Sequence, residues 1–171
     1  MKYVMLFLIF ISLDVNAALK SLNITTSIDL ERLYESSINS VEFIPSILVL
    51  KSSRDKRKFD DVKTTLKIAT DIPQEVSDIG YITTLVKNIS SCTDYSGVIN
   101  VQDDFVDIVI GGEEIQEGGT IKFSDFNSTD GTYKSSEHDV ELIFKPFDSI
   151  KTAGQPEKCN GEVEFSIEVD I

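Results

Sequence analysis

The chain has 171 residues and a formal net charge of −13 at pH 7, with 29 acidic against 16 basic residues. This excess of negative charge disfavours a nucleic-acid-binding role, because a phosphate backbone requires a concentrated cationic surface. The length suits one domain, and the only basic cluster, residues 54–58, is interpreted as a solvated turn between strands.

Residues 1–17 have the pattern of a secretory signal peptide. Lys2 supplies a cation, an apolar run extends from Val4 to Leu13, and Ala17 provides the small residue of an A-x-A-like cleavage site. The apolar run is too short for a membrane-spanning helix, which needs about 20 residues. The sequence therefore predicts that residues 1–17 are removed and that the mature chain is exported.

Residues 22–30 alternate strictly between apolar and polar side chains, which predicts a β-strand close to the start of the mature chain. Such a strand either pairs within its own domain as the first strand or is donated to a neighbouring molecule. The residues on its more apolar face are Leu22, Ile24, Thr26, Ile28 and Leu30.

Alternation with a period of two recurs along the rest of the chain, without sustained helical periodicity. The pattern predicts an all-β chain folded as a two-sheet, immunoglobulin-like sandwich, because many short strands are separated by turn signals. Residues 111–119, 127–137 and 145–160 are interpreted as connections. The predicted strands are residues 41–50 with an interruption at Pro45, 62–70, a segment within 79–89, 98–101, 105–110, 120–126, 139–144 and 161–171.

The chain contains two cysteines, Cys92 and Cys159. An exported protein with an even number of cysteines usually pairs them, so a disulfide between these two is expected. The bond would tie the end of a mid-chain strand to the start of the last strand. Two reduced, buried cysteines are the alternative.

No catalytic, cofactor-binding or metal site is predicted, and the chain is not expected to be an enzyme. The single histidine, His138, lies in a polar stretch and is interpreted as a solvated loop residue. Asp103 with Asp104, and Asp125 with Asp130, could offer oxygen ligands to calcium, but EF-hand spacing is absent and an anionic surface is the preferred interpretation. Hydrolase, phosphate-loop and dinucleotide motifs do not occur.

Four segments resemble successive strands of pilins of the alternate chaperone-usher class, the colonization factor antigen and common pilus type of fimbrial subunit. They are residues 23–29 (NITTSID), 59–70 (FDDVKTTLKIAT), 106–112 (VDIVIGG) and 161–167 (GEVEFSI). The resemblance implies an incomplete sandwich, which is completed by donor-strand exchange between subunits. It divides the chain into a signal peptide at 1–17, an N-terminal donor strand at 18–31 and a pilin β-sandwich domain at 32–171.

The resemblance also assigns roles to particular residues. Leu22, Ile24, Thr26, Ile28 and Leu30 would be the anchors of the donated strand. The last strand would border the acceptor groove of the receiving subunit through Val163, Phe165, Ile167, Val169 and Ile171.

The implied partners are identical or related pilin subunits, a periplasmic chaperone and an outer-membrane usher, without nucleic acid or a cofactor. The implied location is a fimbria on the cell surface, reached through the periplasm, and adhesion to a host receptor is left open. The alternative hypothesis is a self-contained secreted β-sandwich binding module that recognises protein or carbohydrate. A secreted hydrolase that depends on His138 has the weakest support.

Overall fold

The computed structural model describes residue 34, residues 36–152 and residues 156–170, and the all-β prediction is confirmed for this part of the chain. The predicted signal peptide at 1–17, the predicted donor strand at 18–31 and Ile171 lie outside the described residues. A short 3-10 helix, Phe147–Ser149, precedes the last strand. The strands are β1 Ile38–Ile44, β2 Val62–Pro73, β3 Gly80–Asp94, β4 Ile99–Gln102, β5 Val106–Ile110, β6 Glu113–Ile115, β7 Thr120–Phe123, β8 Ser128–Thr129, β9 Tyr133–Phe144 and β10 Pro156–Asp170.

The strands form two antiparallel sheets that pack face to face as a sandwich. Sheet 1 has six strands in the order β1-β2-β9-β5-β6, with β8 paired to β9. Sheet 2 has four strands with β3 at its centre. β10 pairs with one edge of β3, and β4 and β7 pair with different halves of the other edge. The edges of the sandwich are therefore β1 and β10 on one side, and β6 with β4 and β7 on the other.

The hydrophobic core lies between the sheets and follows from the alternation of the central strands. In β2 the inward side chains of Leu66 and Ile68 are fully buried, while the residues between them face outward. The inward faces of β3, β5 and β9 complete this core with Tyr81, Leu85, Ile108, Ile110, Val140 and Phe144.

An aromatic cluster closes one end of the core. The ring of Phe59 lies 4.8 Å from that of Phe147, 5.5 Å from that of Phe144 and 6.4 Å from that of Phe105, measured between centroids. All three contacts are edge-on, which is a favourable arrangement for aromatic pairs. The cluster fixes the chain between β1 and β2 against the segment that leads from β9 to β10.

Two of the predicted connections contain hairpin turns. Gly111 and Gly112 join β5 to β6 with φ angles of 59° and 89°, the positive values that a two-residue hairpin loop of this kind requires at both positions. Gly131, with φ of 99°, lies in the turn between β8 and β9. Residues 53–58 form the solvated turn that the basic cluster predicts.

Several predicted boundaries are wrong, for reasons that lie in strand pairing. The strand predicted at 41–50 ends at Ile44, because Pro45 has no backbone N–H to continue the ladder with β2. The connections predicted at 111–119 and 127–137 contain β6, and β8 with the start of β9. Polar residues there stay extended because their backbones pair with β5 and β2. In the same way β10 begins at Pro156, within the connection predicted at 145–160, because it pairs with the end of β3.

The disulfide between Cys92 and Cys159 is present and joins directly opposite residues of β3 and β10. It closes a loop with a sequence separation of 67 residues. In the described part of the chain, no helix has the length and apolar character needed to cross a membrane.

Replacing both cysteines by alanine should destabilise the domain by about 4 kcal/mol, because the loop-closure entropy of the unfolded chain is no longer restricted. Urea unfolding of the wild-type and variant chains measures this difference. The wild-type chain under reducing conditions should lose a similar amount. An unchanged free energy of unfolding would show that the bond contributes nothing to stability.

Candidate functional site: an apolar groove between two free strand edges

β1 and β10 flank one open side of the sandwich. Among the described residues, β1 pairs only with β2, and β10 pairs only with β3. With respect to the described residues, the outer edge of each strand therefore presents backbone N–H and C=O groups without a strand partner, which makes it a template for a further strand.

A groove with a volume of about 640 Å³ separates these two edges. Protein interiors are packed as densely as organic crystals, so a groove of this size between two sheets can accept additional side chains. Thr64 and Val140 of sheet 1 lie at its floor and Gly161 of β10 lies in one wall. The apolar residues that line it include Phe43, Leu48, Leu50, Phe59, Val106, Leu142, Phe144 and Val163.

Two polar side chains of the groove make hydrogen bonds within the domain. The Thr64 hydroxyl donates to the Pro45 carbonyl oxygen at 2.7 Å. The Asn88 amide donates to the Val106 carbonyl oxygen at 2.8 Å. An occupant would therefore be recognised through apolar contacts and through the free strand edges.

The predicted acceptor-groove residues share the inward face of β10, but only part of the row reaches the groove. Val163 lines it, and Phe165 lies at its end, with its ring 5.9 Å from that of Phe43 across the gap between the sheets. Ile167 and Val169 continue the row beyond the groove, and Ile171 lies outside the described residues. The predicted donor-strand anchors, Leu22, Ile24, Thr26, Ile28 and Leu30, also lie outside the described residues.

The burial of this row differs from that of the central strands. Val163, Phe165, Ile167 and Val169 all pack against the core, yet each stays only partly buried. By contrast, Leu66 and Ile68 of β2 and Val140 of β9 are fully buried at the centre of sheet 1. The inward face of β10 is thus a core face with incomplete cover.

The wall opposite β10 was not predicted from the sequence. This wall consists of Phe43 and residues 45–50, which follow β1 without joining a sheet. Ile47 and Val49 in this segment are each 80% exposed. The sequence contained one indication of this wall. The apolar run at 41–50 continues past Pro45, and because Pro45 ends the strand, the second half of the run lies outside β1.

The interpretation of His138 as a solvated loop residue is wrong. His138 lies in β9 with its side chain buried, and its Nε2 forms a hydrogen bond with the Tyr81 hydroxyl. The Phe123 ring lies 4.2 Å from the imidazole between centroids. Burial lowers the pKa of His138 and raises the pKa of Tyr81 to about 12. These contacts make His138 part of the core.

The acidic residues considered as calcium ligands have other roles or stay on the surface. Asp125 forms an ion pair with the buried Lys134 at 2.6 Å, and Asp130 accepts hydrogen bonds from two backbone N–H groups of its turn. Asp103 and Asp104 are exposed. Within the described residues, no three His, Cys, Asp or Glu side chains are grouped so that they could hold a metal ion.

The chain has a structural likeness among solved structures. The chain is similar to the CooA pilin subunit from enterotoxigenic Escherichia coli, with a TM-score of 0.42 and 14% sequence identity over 72% of this chain and 90% of that one. No protein-family model matches the sequence, and no curated protein matches it.

The burial of His138 predicts a loss of stability in mild acid. Its pKa in the folded state lies below its ordinary value of 6.5, so the stabilising effect of the neutral form is present above pH 6.5 and is lost as the pH falls towards the folded-state pKa. Unfolding free energies measured between pH 7 and about pH 5 should decline in the wild type. In His138→Gln, this decline should be absent.

The carboxylates whose pKa is lowered in the folded state do not account for a decline in that range. The pKa values of Asp55, Asp61, Asp94 and Asp130 lie below the ordinary 3.8, chiefly because each accepts hydrogen bonds, so their contribution is lost at lower pH. An equal decline in His138→Gln and in the wild type would show that His138 is not the titrating group.

Proposed function

We propose that this chain is a structural subunit of a chaperone-usher fimbria and that it polymerises by donating its N-terminal strand to a neighbouring subunit. The observation that carries the proposal is the apolar groove between the free edges of β1 and β10. A strand placed there would pair with exposed backbone groups and bury apolar side chains over the half-covered face of β10. The role is structural and requires no cofactor.

The proposed occupant is residues 22–30 of a second copy. Leu22, Ile24, Ile28 and Leu30 would enter the groove as apolar anchors, and Thr26 would lie between them. Nine residues of strand extend about 30 Å, whereas the 15 residues of β10 extend about 50 Å. The donated strand is therefore long enough to run along more than half of the acceptor strand.

The direction of β1 favours donation to another copy. The chain enters β1 at Ile38, opposite Thr70, and reaches the groove only at Phe43, about 17 Å further along the strand. A segment that precedes Ile38 would have to reverse direction to fill its own groove. It can enter a neighbouring groove without this reversal.

An open groove with free strand edges explains why such a subunit would need a chaperone. An exposed apolar edge promotes aggregation, so a periplasmic chaperone would occupy it until an outer-membrane usher catalyses exchange for the next subunit. Export would depend on the signal peptide at residues 1–17. The assembled fimbria would lie on the cell surface, where it could also present a host-binding site.

Deletion of residues 18–31 should abolish assembly, because the donated strand is lost while the groove remains. The mature and truncated chains, each purified with its chaperone and then released, can be compared by sedimentation. A synthetic peptide of residues 18–31 should bind the truncated chain and raise its melting temperature by several degrees. The same peptide with Ile24→Asp and Ile28→Asp is the matched control and should have no effect.

Two results would contradict this proposal. One is assembly of the truncated chain to the same extent as the mature chain. The other is a mature chain that stays monomeric without a chaperone while residues 18–31 resist proteolysis. The second result would identify the alternative, a self-contained secreted binding module.

A charge in the groove should also block assembly. Val163→Asp places a carboxylate on the groove wall, where an incoming apolar side chain would desolvate it, so the fraction assembled should fall more than about tenfold. Glu164→Asp is the control, because residue 164 is on the opposite face of β10 and is exposed. If both variants assemble to the same extent, the groove is not the polymerisation site.

A further inference from the structure

Residues 51–60, in the connection between β1 and β2, form a hairpin that is here called the basic hairpin. It is closed by the bridge between Ser52 and Phe59 and by a hydrogen bond from the Asp60 N–H to the Lys51 carbonyl oxygen at 2.8 Å. Asp55 holds the tip, since its carboxylate accepts from the Ser53 hydroxyl at 2.6 Å and from the Arg57 N–H at 3.1 Å. The hydrogen bond from Ser53 is the main reason that the pKa of Asp55 lies below its ordinary value.

The cations of the basic hairpin are mostly unpaired. Lys58 forms an ion pair with Asp61 at 2.9 Å, whereas Arg54, Lys56 and Arg57 are exposed and have no ion pair among the described residues. Asp60 and Asp148 are the nearby acids at the base of the hairpin. In a chain of net charge −13, these cations form the one concentrated basic feature of the sequence.

A second feature, here called the acidic hollow, has the opposite charge. It has a volume of about 650 Å³, lies between β6 and β4, and shares the lining residues Asn88, Ile89 and Val106 with the groove. Lys145, the cation among its described lining residues, is paired with Asp107. This carboxylate, with smaller contributions from Glu114 and Asp104, raises the pKa of Lys145. Among the described residues, the carboxylates of the hollow that form neither an ion pair nor a side-chain hydrogen bond are Asp103, Asp104 and Glu114.

Exposed aliphatic side chains lie at the acidic hollow. Ile89 and Val101 line it, and Val101 is 68% exposed. Ile99, 69% exposed, precedes Val101 on the same face of β4. The hollow thus combines apolar surface with charges that are opposite to those of the basic hairpin.

We propose that the basic hairpin of one copy, with Arg54, Lys56 and Arg57, docks against the acidic hollow of another copy, with Asp103, Asp104 and Glu114. This contact rests on the proposed function, since it is a second contact between copies beside the donated strand. It joins two different surfaces, and such a heterologous contact extends into an open filament when its rotation does not close a ring. It also replaces repulsion between acidic copies by local attraction.

Charge reversal tests the contact in the mature chain. The basic-reversal variant carries Arg54→Glu, Lys56→Glu and Arg57→Glu, and the acidic-reversal variant carries Asp103→Lys, Asp104→Lys and Glu114→Lys. Each should raise the concentration needed for half-maximal assembly by about tenfold, measured by sedimentation at low salt. The variant that combines all six substitutions keeps the wild-type net charge and restores opposite charges at the contact, so it should assemble like the wild type.

The control variant changes three lysines at other surfaces, Lys63, Lys67 and Lys122, to glutamate and matches the charge change of the basic-reversal variant. These lysines form exposed ion pairs with Glu141, Glu137 and Asp170, so its melting temperature is measured first, and it should assemble at a lower concentration than the basic-reversal variant. Salt provides a further readout. Raising it from roughly 50 mM to 500 mM should weaken wild-type assembly and strengthen assembly of each reversal variant, because screening reduces attraction and repulsion alike.

Each other outcome would overturn the docking proposal. Reversal variants that assemble like the wild type, or a combined variant that fails to recover, would show that the two surfaces are not partners. If the basic-reversal variant assembles normally but no longer binds heparin, the basic hairpin binds an anionic polysaccharide instead of a second copy. If truncation of residues 18–31 blocks assembly but charge reversal does not, the donor-strand proposal is retained and the docking proposal is rejected. If charge reversal alone matters, the donor-strand proposal fails, and a monomeric wild type overturns both.

Discussion

The structure depends on the antiparallel pairing of β3 with β10. These strands of 15 residues each pair along almost their full length, and every other strand of sheet 2 pairs with β3. β10 has no other strand partner in the described part of the chain, so β3 alone holds the row of half-buried side chains that faces sheet 1. The disulfide fastens this ladder close to the groove, because Cys159 precedes Gly161 and Val163 on the groove wall.

The core differs at its two ends, and this difference positions the groove. At one end the rings around Phe59 pack closely beside the groove and keep its floor apolar. At the other end, polar side chains enter the core with partners of their own, His138 with Tyr81 and Lys134 with Asp125. Burying these groups is costly without their hydrogen bonds, so that end requires a fixed arrangement, whereas the groove end can accept a new apolar strand.

The sequence predicts the sandwich well, because most strands follow the alternation of their own residues. It fails where pairing with a distant strand decides the conformation. Residues 135–138 are polar, yet β2 keeps them extended and carries His138 into the core. The wall of the groove formed by β10 was predictable, because Val163 and Phe165 alternate with polar residues. The opposite wall was not. That wall depends on where residues 45–50 lie after Pro45 ends β1, which is a matter of tertiary packing.

The two proposed contacts between copies depend on different forces, and this difference suits an acidic subunit. Strand insertion relies on buried apolar surface and backbone hydrogen bonds, which salt affects little and which can hold copies together despite their like charges. It leaves the angle between successive domains to the residues that connect the donated strand to β1. Contacts between charged surfaces are weak individually, but they favour one orientation over others because misplaced like charges repel. Strand insertion would therefore supply the strength of a filament, and the basic hairpin in its acidic hollow would select the rotation between copies.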